Sequence, residues 1–114
     1  MKISTLDKEA LTIIMVDGEL DASSSILLDS SIENAVTSGK KKILIDSRKL
    51  NYISSAGLGV FMSRVQEFEE QGIHMVLFGL NEKVLRVFQI LGLDQLLSIA
   101  ASEEEAIQTL NAEL

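Results

Sequence analysis

Short apolar runs rich in β-branched residues recur along the chain: Ile13-Ile14-Met15-Val16, Ile43-Leu44-Ile45 and Met75-Val76-Leu77-Phe78, each ended by a charged or small residue. Runs of this length read as buried strands. Ile3 to Leu6 alternates more weakly and is expected to pair with the 10–17 run as an edge strand, across a polar Asp7-Lys8-Glu9 turn, and Leu97 to Ala100 is expected as a last short strand. Between the strands, apolar residues fall at spacings of three and four: Leu28, Ile32, Ala35 and Val36, then Leu58, Phe61, Val65 and Phe68, then Val84, Phe88 and Leu91. Each set marks one stripe of a helix. Ser102-Glu103-Glu104-Glu105 has the spacing of a capping box before a fourth stripe of Ala106, Ile107 and Leu110. Asn81 is placed to cap the third helix, and Gly39, Gly72 and Gly92 to close the first three in left-handed positions. The predicted order is β-β-α-β-α-β-α-β-α, an α/β fold with a mostly parallel sheet of four to five strands and about four helices, in one domain over residues 1–114.

Composition narrows the function. The 114 residues are 46% hydrophobic and lack proline, so one modest core is expected throughout, with no linker. With 10 basic against 17 acidic residues the formal charge is -7, which disfavours nucleic acid as a partner. Lys40, Lys41 and Lys42 form the one basic cluster and read as a solvated loop before a strand. Cysteine is absent and His74 is the sole histidine, at the edge of an apolar run. Thiol chemistry, zinc sites and a Ser-His-Asp triad are not expected, nor is any cofactor or metal. The amino-terminal segment has no unbroken apolar core, and no uncharged run approaches the ~20 residues of a membrane helix. A cytoplasmic, monomeric protein without membrane attachment is the expectation.

Tyr52-Ile53-Ser54-Ser55-Ala56-Gly57-Leu58-Gly59-Val60 departs from plain core-building. Two serines precede an apolar helix, so one of them is placed to cap its start. A phosphate attached there would meet a helix amino terminus, with the amides of Gly57 and Gly59 as expected donors. The plainer alternative is an ordinary serine cap with glycine for a tight turn. No Gly-Lys-Ser/Thr of a P-loop and no Gly-x-Ser-x-Gly elbow occurs. Glu19 and Asp21 read as loop and cap residues and Glu103 to Glu105 as a solvated first helical turn, so an enzyme is not expected.

Gly18-Glu19-Leu20-Asp21, Ile43-Leu44-Ile45-Asp46, Leu50 to Gly59, and Val84-Leu85-Arg86-Val87-Phe88 followed by Leu91-Gly92-Leu93 together resemble the STAS domain of bacterial anti-sigma factor antagonists, over nearly the whole chain. The resemblance implies a mixed sheet and a switch protein without catalysis. In its unphosphorylated form such a protein binds an anti-sigma factor, a serine kinase of the histidine-kinase ATPase fold, and frees a sigma factor. Phosphorylation ends that contact, and a serine phosphatase resets it. The acceptor implied is Ser55, with Ser54 as the alternative, because many members carry aspartate where this chain has Ser54. The implied partner surface comprises the loop of Asp21, Ala22 and Ser23, the loop of Ser54 and Ser55, and the start of the helix from Ala56 to Ser63, with Ala56, Gly57, Leu58, Gly59 and Met62 singled out in it. For Asp21 a capping role stands beside the contact role. Leu58 and Met62 fit core as well as docking.

Two rival readings remain at this stage. One is a STAS adaptor subunit of a larger complex, such as a lipid-transport ATPase or a stress-signalling assembly, without a phosphorylation switch. The other is an aspartyl-phosphate receiver using Asp46, which lacks the acid pair after the first strand and the lysine after the last.

Overall fold

Antiparallel pairing of β1 (Lys2–Lys8) with β2 (Leu11–Leu20) opens the chain, and the hairpin turns at Glu9 and Ala10 alone, one step tighter than the predicted polar turn. Glu9 takes the strain of that turn at φ 44°. The computed structural model describes residues 1–112. Next come α1 (Ala22–Thr37), β3 (Lys42–Ile53), α2 (Ser55–Gln71), β4 (His74–Phe78), α3 (Glu82–Ile90), a single 3-10 turn (Leu93–Gln95), β5 (Ser98–Ala100) and α4 (Glu103–Ala112). The element order read from periodicity is therefore the observed one. Spatial order follows chain order, β1-β2-β3-β4-β5, with every pairing after the first parallel.

Alternation along β2 divides the interior into two parts. Ile14 and Val16 meet the buried stripes of the first three helices, Leu28, Ile32 and Ala35, then Leu58, Phe61 and Phe68, then Val84 and Phe88. Ile13 lies in a second, smaller cluster with Leu44, Val76 and Phe78 under Ala106 and Leu110 of α4. Period-two strands feeding two cores are what a sheet covered on both faces requires. Phe61, Phe78 and Phe88 are fully buried, each stabilising the fold by about 1.5–3 kcal/mol relative to exposure.

Two features differ from the sequence expectation. Residues 46–53 extend β3, and Gly18 to Leu20 extend β2, where loops were expected. The ladder survives there through register shifts after Met15 and Gly18, with Gly18 at φ 113°, and irregular pairing destroys the alternation that a sequence pattern can detect. The second is Lys40 to Lys42. Their ammonium groups reach the carbonyls of Glu9 and of Gln71 and the Asn111 side chain, tying the loop to the β1–β2 turn, α2 and α4.

Candidate functional site

The parallel strands β2 and β3 end together. Leu20 pairs with Ile53, and one residue later the Ser54 amide donates to the Leu20 carbonyl at 2.9 Å. Asp21 and Ser54 thus leave the sheet side by side, and each opens a helix. Asp21 is the N-cap of α1 in a full capping box. Its carboxylate accepts from the Ser24 amide at 2.9 Å, the Ser24 hydroxyl at 2.9 Å and the Ser23 hydroxyl at 3.0 Å, while its own amide donates to Ser24 Oγ at 2.9 Å. Hydrogen bonds from Ser24, then Ser23, hold the Asp21 carboxyl down at about 2, so it is ionised at neutral pH. Ser54 caps α2 by accepting from the Gly57 amide at 3.1 Å.

Ser55 is the first residue of α2. It is exposed, and its hydroxyl makes no hydrogen bond among the described residues. The cap is therefore Ser54, and the expectation that the Gly57 and Gly59 amides would hold a phosphate is corrected: the Gly57 amide is already bound to Ser54, and Gly59 lies past the first turn, where amides bond within the helix. The amides free by helix geometry are those of Ser55 and Ala56, the first two of the turn.

Beyond the caps, α1 and α2 form a groove of about 390 Å³, lined by Ala22, Ser25, Ile26 and Asp29 on one side and Ala56, Gly59, Val60 and Ser63 on the other. Ile26 is 68% exposed beside it. Small residues make its floor shallow, and the position a Gly59 side chain would fill is open. Arg64 locks the two helices together from the buried side. Its guanidinium donates to Glu33 at 2.8 Å and Asp29 at 2.9 Å, with Glu67 at 3.5 Å, and lies over the Phe68 ring. Burial alone would depress that guanidinium, but Glu33 and Asp29 outweigh it and raise its pKa.

Of the residues expected on the partner surface, Asp21, Ala22, Ser23, Ser55, Ala56 and Gly59 are exposed around this junction, and Ser54 is half-buried as the cap. Gly57 and Leu58 are corrected: both are buried. A Cβ on Gly57 would stand 2.8 Å from the Leu20 side chain, and Leu58 belongs to the larger core. Met62 is half-buried against that core. Val60 and Ser63, within the helix start expected on that surface, line the groove, whereas sequence reasoning missed Ile26 in its lining and Arg64, its clamp. Ile26 and Leu27 did carry a signal, as two large aliphatics beside the Leu28 stripe but off it.

The other candidate groups are structurally engaged. Asp46 binds Arg48 in a two-pronged contact at 3.0 and 2.7 Å, and Arg48 lies over the Phe78 ring. Burial would raise the Asp46 carboxyl, and the Arg48 bonds overcome this and lower it. Asp46 is thus a buried ion-pair partner, the opposite of an open receiver site. Among the described residues no cluster of three His, Cys, Asp or Glu is arranged to hold a metal ion, and no helix is long and apolar enough to cross a membrane.

Comparison with known proteins agrees with this geometry. The anti-sigma-B factor antagonist of Listeria monocytogenes is 32% identical over 92 residues, 81% of this chain and 81% of that protein. Its Bacillus subtilis counterpart is 30% identical over 95 residues, 83% and 86%. The anti-sigma factor antagonist SpoIIAA in its unphosphorylated form superposes with a TM-score of 0.73 at 23% identity, covering 96% of this chain and 98% of that one. The phosphorylated form of Bacillus SpoIIAA gives 0.71 at 25%, covering 95% and 98%. The STAS domain model matches residues 2–106, and with a mixed five-stranded sheet and paired helix starts of this kind the chain belongs to the STAS domain family.

Proposed function

We propose that the chain is an anti-sigma factor antagonist whose contact with an anti-sigma kinase is switched off by phosphorylation of Ser55. One observation carries the reading: of two adjacent serines at the start of α2, Ser54 is committed to the cap, while the Ser55 hydroxyl is exposed, unbonded and adjacent to the α1–α2 groove. The names of the curated relatives support the antagonist role, and SpoIIAA in a phosphorylated form supports a switch of this kind. Ser54 has a reason to be spared, since modifying it would break its bond to the Gly57 amide.

The physical account rests on charge. A phosphate adds about -1.5 to -2 charges at neutral pH. On Ser55 it would stand at the rim of a shallow, small-residue groove, one strand away from the ionised Asp21. Its own helix tolerates it, because the start of α2 has free amides and a positive dipole end. A partner seated on the groove must bury that charge or withdraw. A few kcal/mol of desolvation and repulsion suffices, since each ~1.4 kcal/mol is tenfold in affinity. A serine phosphatase would then complete the cycle.

The test is ATP and a cognate anti-sigma kinase followed by mass spectrometry of the 49–64 peptide. Phosphate is expected on Ser55, absent in Ser55→Ala and retained in Ser54→Ala. Ser55→Asp is expected to fold normally and bind the kinase at least about tenfold more weakly, read by calorimetry. Wild-type phosphate uptake by Ser55→Ala overturns the assignment. If Ser55→Asp and the phosphorylated protein both bind as tightly as the unmodified chain, an adaptor without a switch is the better reading.

A further inference from the structure

On the sheet face away from α1, α2 and α3, the single helix α4 packs on β3, β4 and β5, and β4 stops at Phe78, opposite Asp46. Past that helix, the surface over β1, β2 and β3 holds a groove of about 570 Å³, larger than the one between α1 and α2 and of a size that takes a small molecule. Two rows of paired residues cross the three strands there, Ser4, Met15 and Asp46, then Lys2, Asp17 and Lys49. The register shift after Met15 sets three steps of β3 against two of β2, and so adds Arg48 to the lining beside Lys49. Charge sets this groove apart. In a chain of net charge -7, three other surface grooves carry Asp7, Asp29 or Glu69 and no lysine or arginine.

Arg48 is exposed and yet held in place. Its side chain is 61% exposed, but Nε and Nη2 donate to the two oxygens of buried Asp46 at 3.0 and 2.7 Å, and the guanidinium lies 5.3 Å from the Phe78 ring centre. Its stem fills the space above Gly79, where a Cβ would stand 2.4 Å from Arg48 Cγ. Burial would raise the Asp46 carboxyl, but Arg48 and, to a smaller extent, Lys49 lower it, so the ion pair persists at neutral pH. Nη1 makes no hydrogen bond among the described residues, so the end of the fork formed by Nη1 and Nη2 is open to an outside acceptor. With Asp46 committed to Arg48, Lys2 and Lys49 stand against Asp17 alone, and none of these three forms an ion pair among the described residues. Glu103 at the start of α4 is close enough to raise the Arg48 pKa but does not line the groove.

We propose that this groove binds a small organic oxyanion, a carboxylate or a phosphate monoester, with its charged end on Arg48 and Lys49 and its apolar body on Met15. A guanidinium already oriented by a carboxylate and a ring loses little freedom on binding, and its planar fork matches two oxygens of one oxyanion. Half-buried Met15 and the stems of Lys2 and Lys49 give the rest of such a ligand an apolar surface. The groove lies on the face opposite α1 and α2, so the inference stands whether or not Ser55 is a switch.

The probes are phenyl phosphate and benzoate, with neutral benzyl alcohol as control, titrated into the full chain at low salt and followed by amide chemical shifts. Binding of either anion is expected, the tighter of the two naming the oxyanion, and shifts should fall on residues 2–4, 15–17 and 46–49. Arg48→Lys keeps the ion pair with Asp46 but loses the fork, and should weaken binding at least about fivefold. Lys2→Gln/Lys49→Gln, at exposed positions, should weaken it while leaving the melting temperature near that of the wild type, and Lys83→Gln on α3 should change nothing. Absence of binding by both anions, or equal binding of benzyl alcohol, overturns the proposal. Equal loss in Lys83→Gln would reduce the effect to general electrostatics, and shifts centred on 54–57 would move the anion to the start of α2; either result overturns it as well.

Discussion

The starts of α1 and α2 are built alike and finished differently. Both follow parallel strands that end in register at Leu20 and Ile53, and both are capped by the first residue to leave the sheet. At α1 the cap is closed: Asp21 binds Ser23 and Ser24, Ser24 returns a bond to the Asp21 amide, and the Ser25 hydroxyl bonds the Asp21 carbonyl. At α2 a single bond from the Gly57 amide to Ser54 does the capping, and the neighbouring Ser55 hydroxyl is left over. The difference separates two uses of one local geometry. A closed cap spends every polar group on holding the helix, whereas an open one leaves a hydroxyl available for chemistry with an outside enzyme. Three serines after Asp21 therefore make a structural junction, and two serines before Ala56 make a candidate regulatory one.

The largest expected effect comes from the glycines of α2, which separate what lies under the junction from what faces outward. A Cβ at Gly57 would meet the Leu20 side chain at 2.8 Å and Ile53 at 2.9 Å, the two residues that bring the strand ends together. Gly57→Ala should cost about 1–3 kcal/mol by overpacking. Gly59 has open space in its place, so Gly59→Ala should stabilise the helix by about 0.5–1 kcal/mol. Urea unfolding of both variants reads this directly. Equal effects would mean that α2 is not seated on Leu20, and the contrast between a buried and an outward face at the junction would fail.

The serine pair gives a smaller and sharper contrast. Ser54→Ala should cost about 1 kcal/mol through the lost cap. Ser55→Ala should stay within about 0.5 kcal/mol, because it removes a hydroxyl with no bond to lose. Thermal unfolding of the two variants side by side decides between them. If Ser55→Ala is the more damaging, the roles are exchanged, and Ser54 becomes the free hydroxyl.

Much of the fold could be read from the chain because its signals are local. Buried runs such as Ile43 to Ile45, stripes such as Leu58, Phe61 and Phe68, and the Asn81 and Ser102 caps each rest on a few neighbouring residues. Even the Ser102 box differs only in detail, with Glu105 reaching back to the Ala101 amide instead of to Ser102. The site was legible as a segment, not as a surface. Which of Ser54 and Ser55 caps the helix depends on one residue of phase, beyond the reach of composition and spacing. Ile26 and Val60 come together only when α1 packs on α2, and Arg64 is recognisable as a clamp only when Asp29 and Glu33 arrive from another helix. Leu58 was ambiguous because stripe positions and docking positions share one residue type, and burial settles it as core.

The smallest effect tests the closed cap by pH. Asp21 is held at about 2 against an ordinary 3.8, so the folded state favours its ionised form more than the unfolded state does. The unfolded chain then binds more protons between these values, and stability rises with pH across them. The contribution is complete above the unfolded value and is lost as pH falls through 3.8 toward 2. Arg48 also holds the Asp46 carboxyl below its ordinary value, so the wild-type curve alone does not isolate the cap. The difference between wild type and Asp21→Asn does, because asparagine keeps an acceptor for the Ser24 amide but has no charge to lose. The wild type should melt higher than Asp21→Asn at pH 6, and the gap should shrink steadily below pH 4. A gap independent of pH would show that the carboxylate charge adds nothing beyond shape. The α1 cap would then be equivalent in kind to the single neutral bond of Ser54, and what distinguishes the two helix starts would reduce to the free hydroxyl of Ser55.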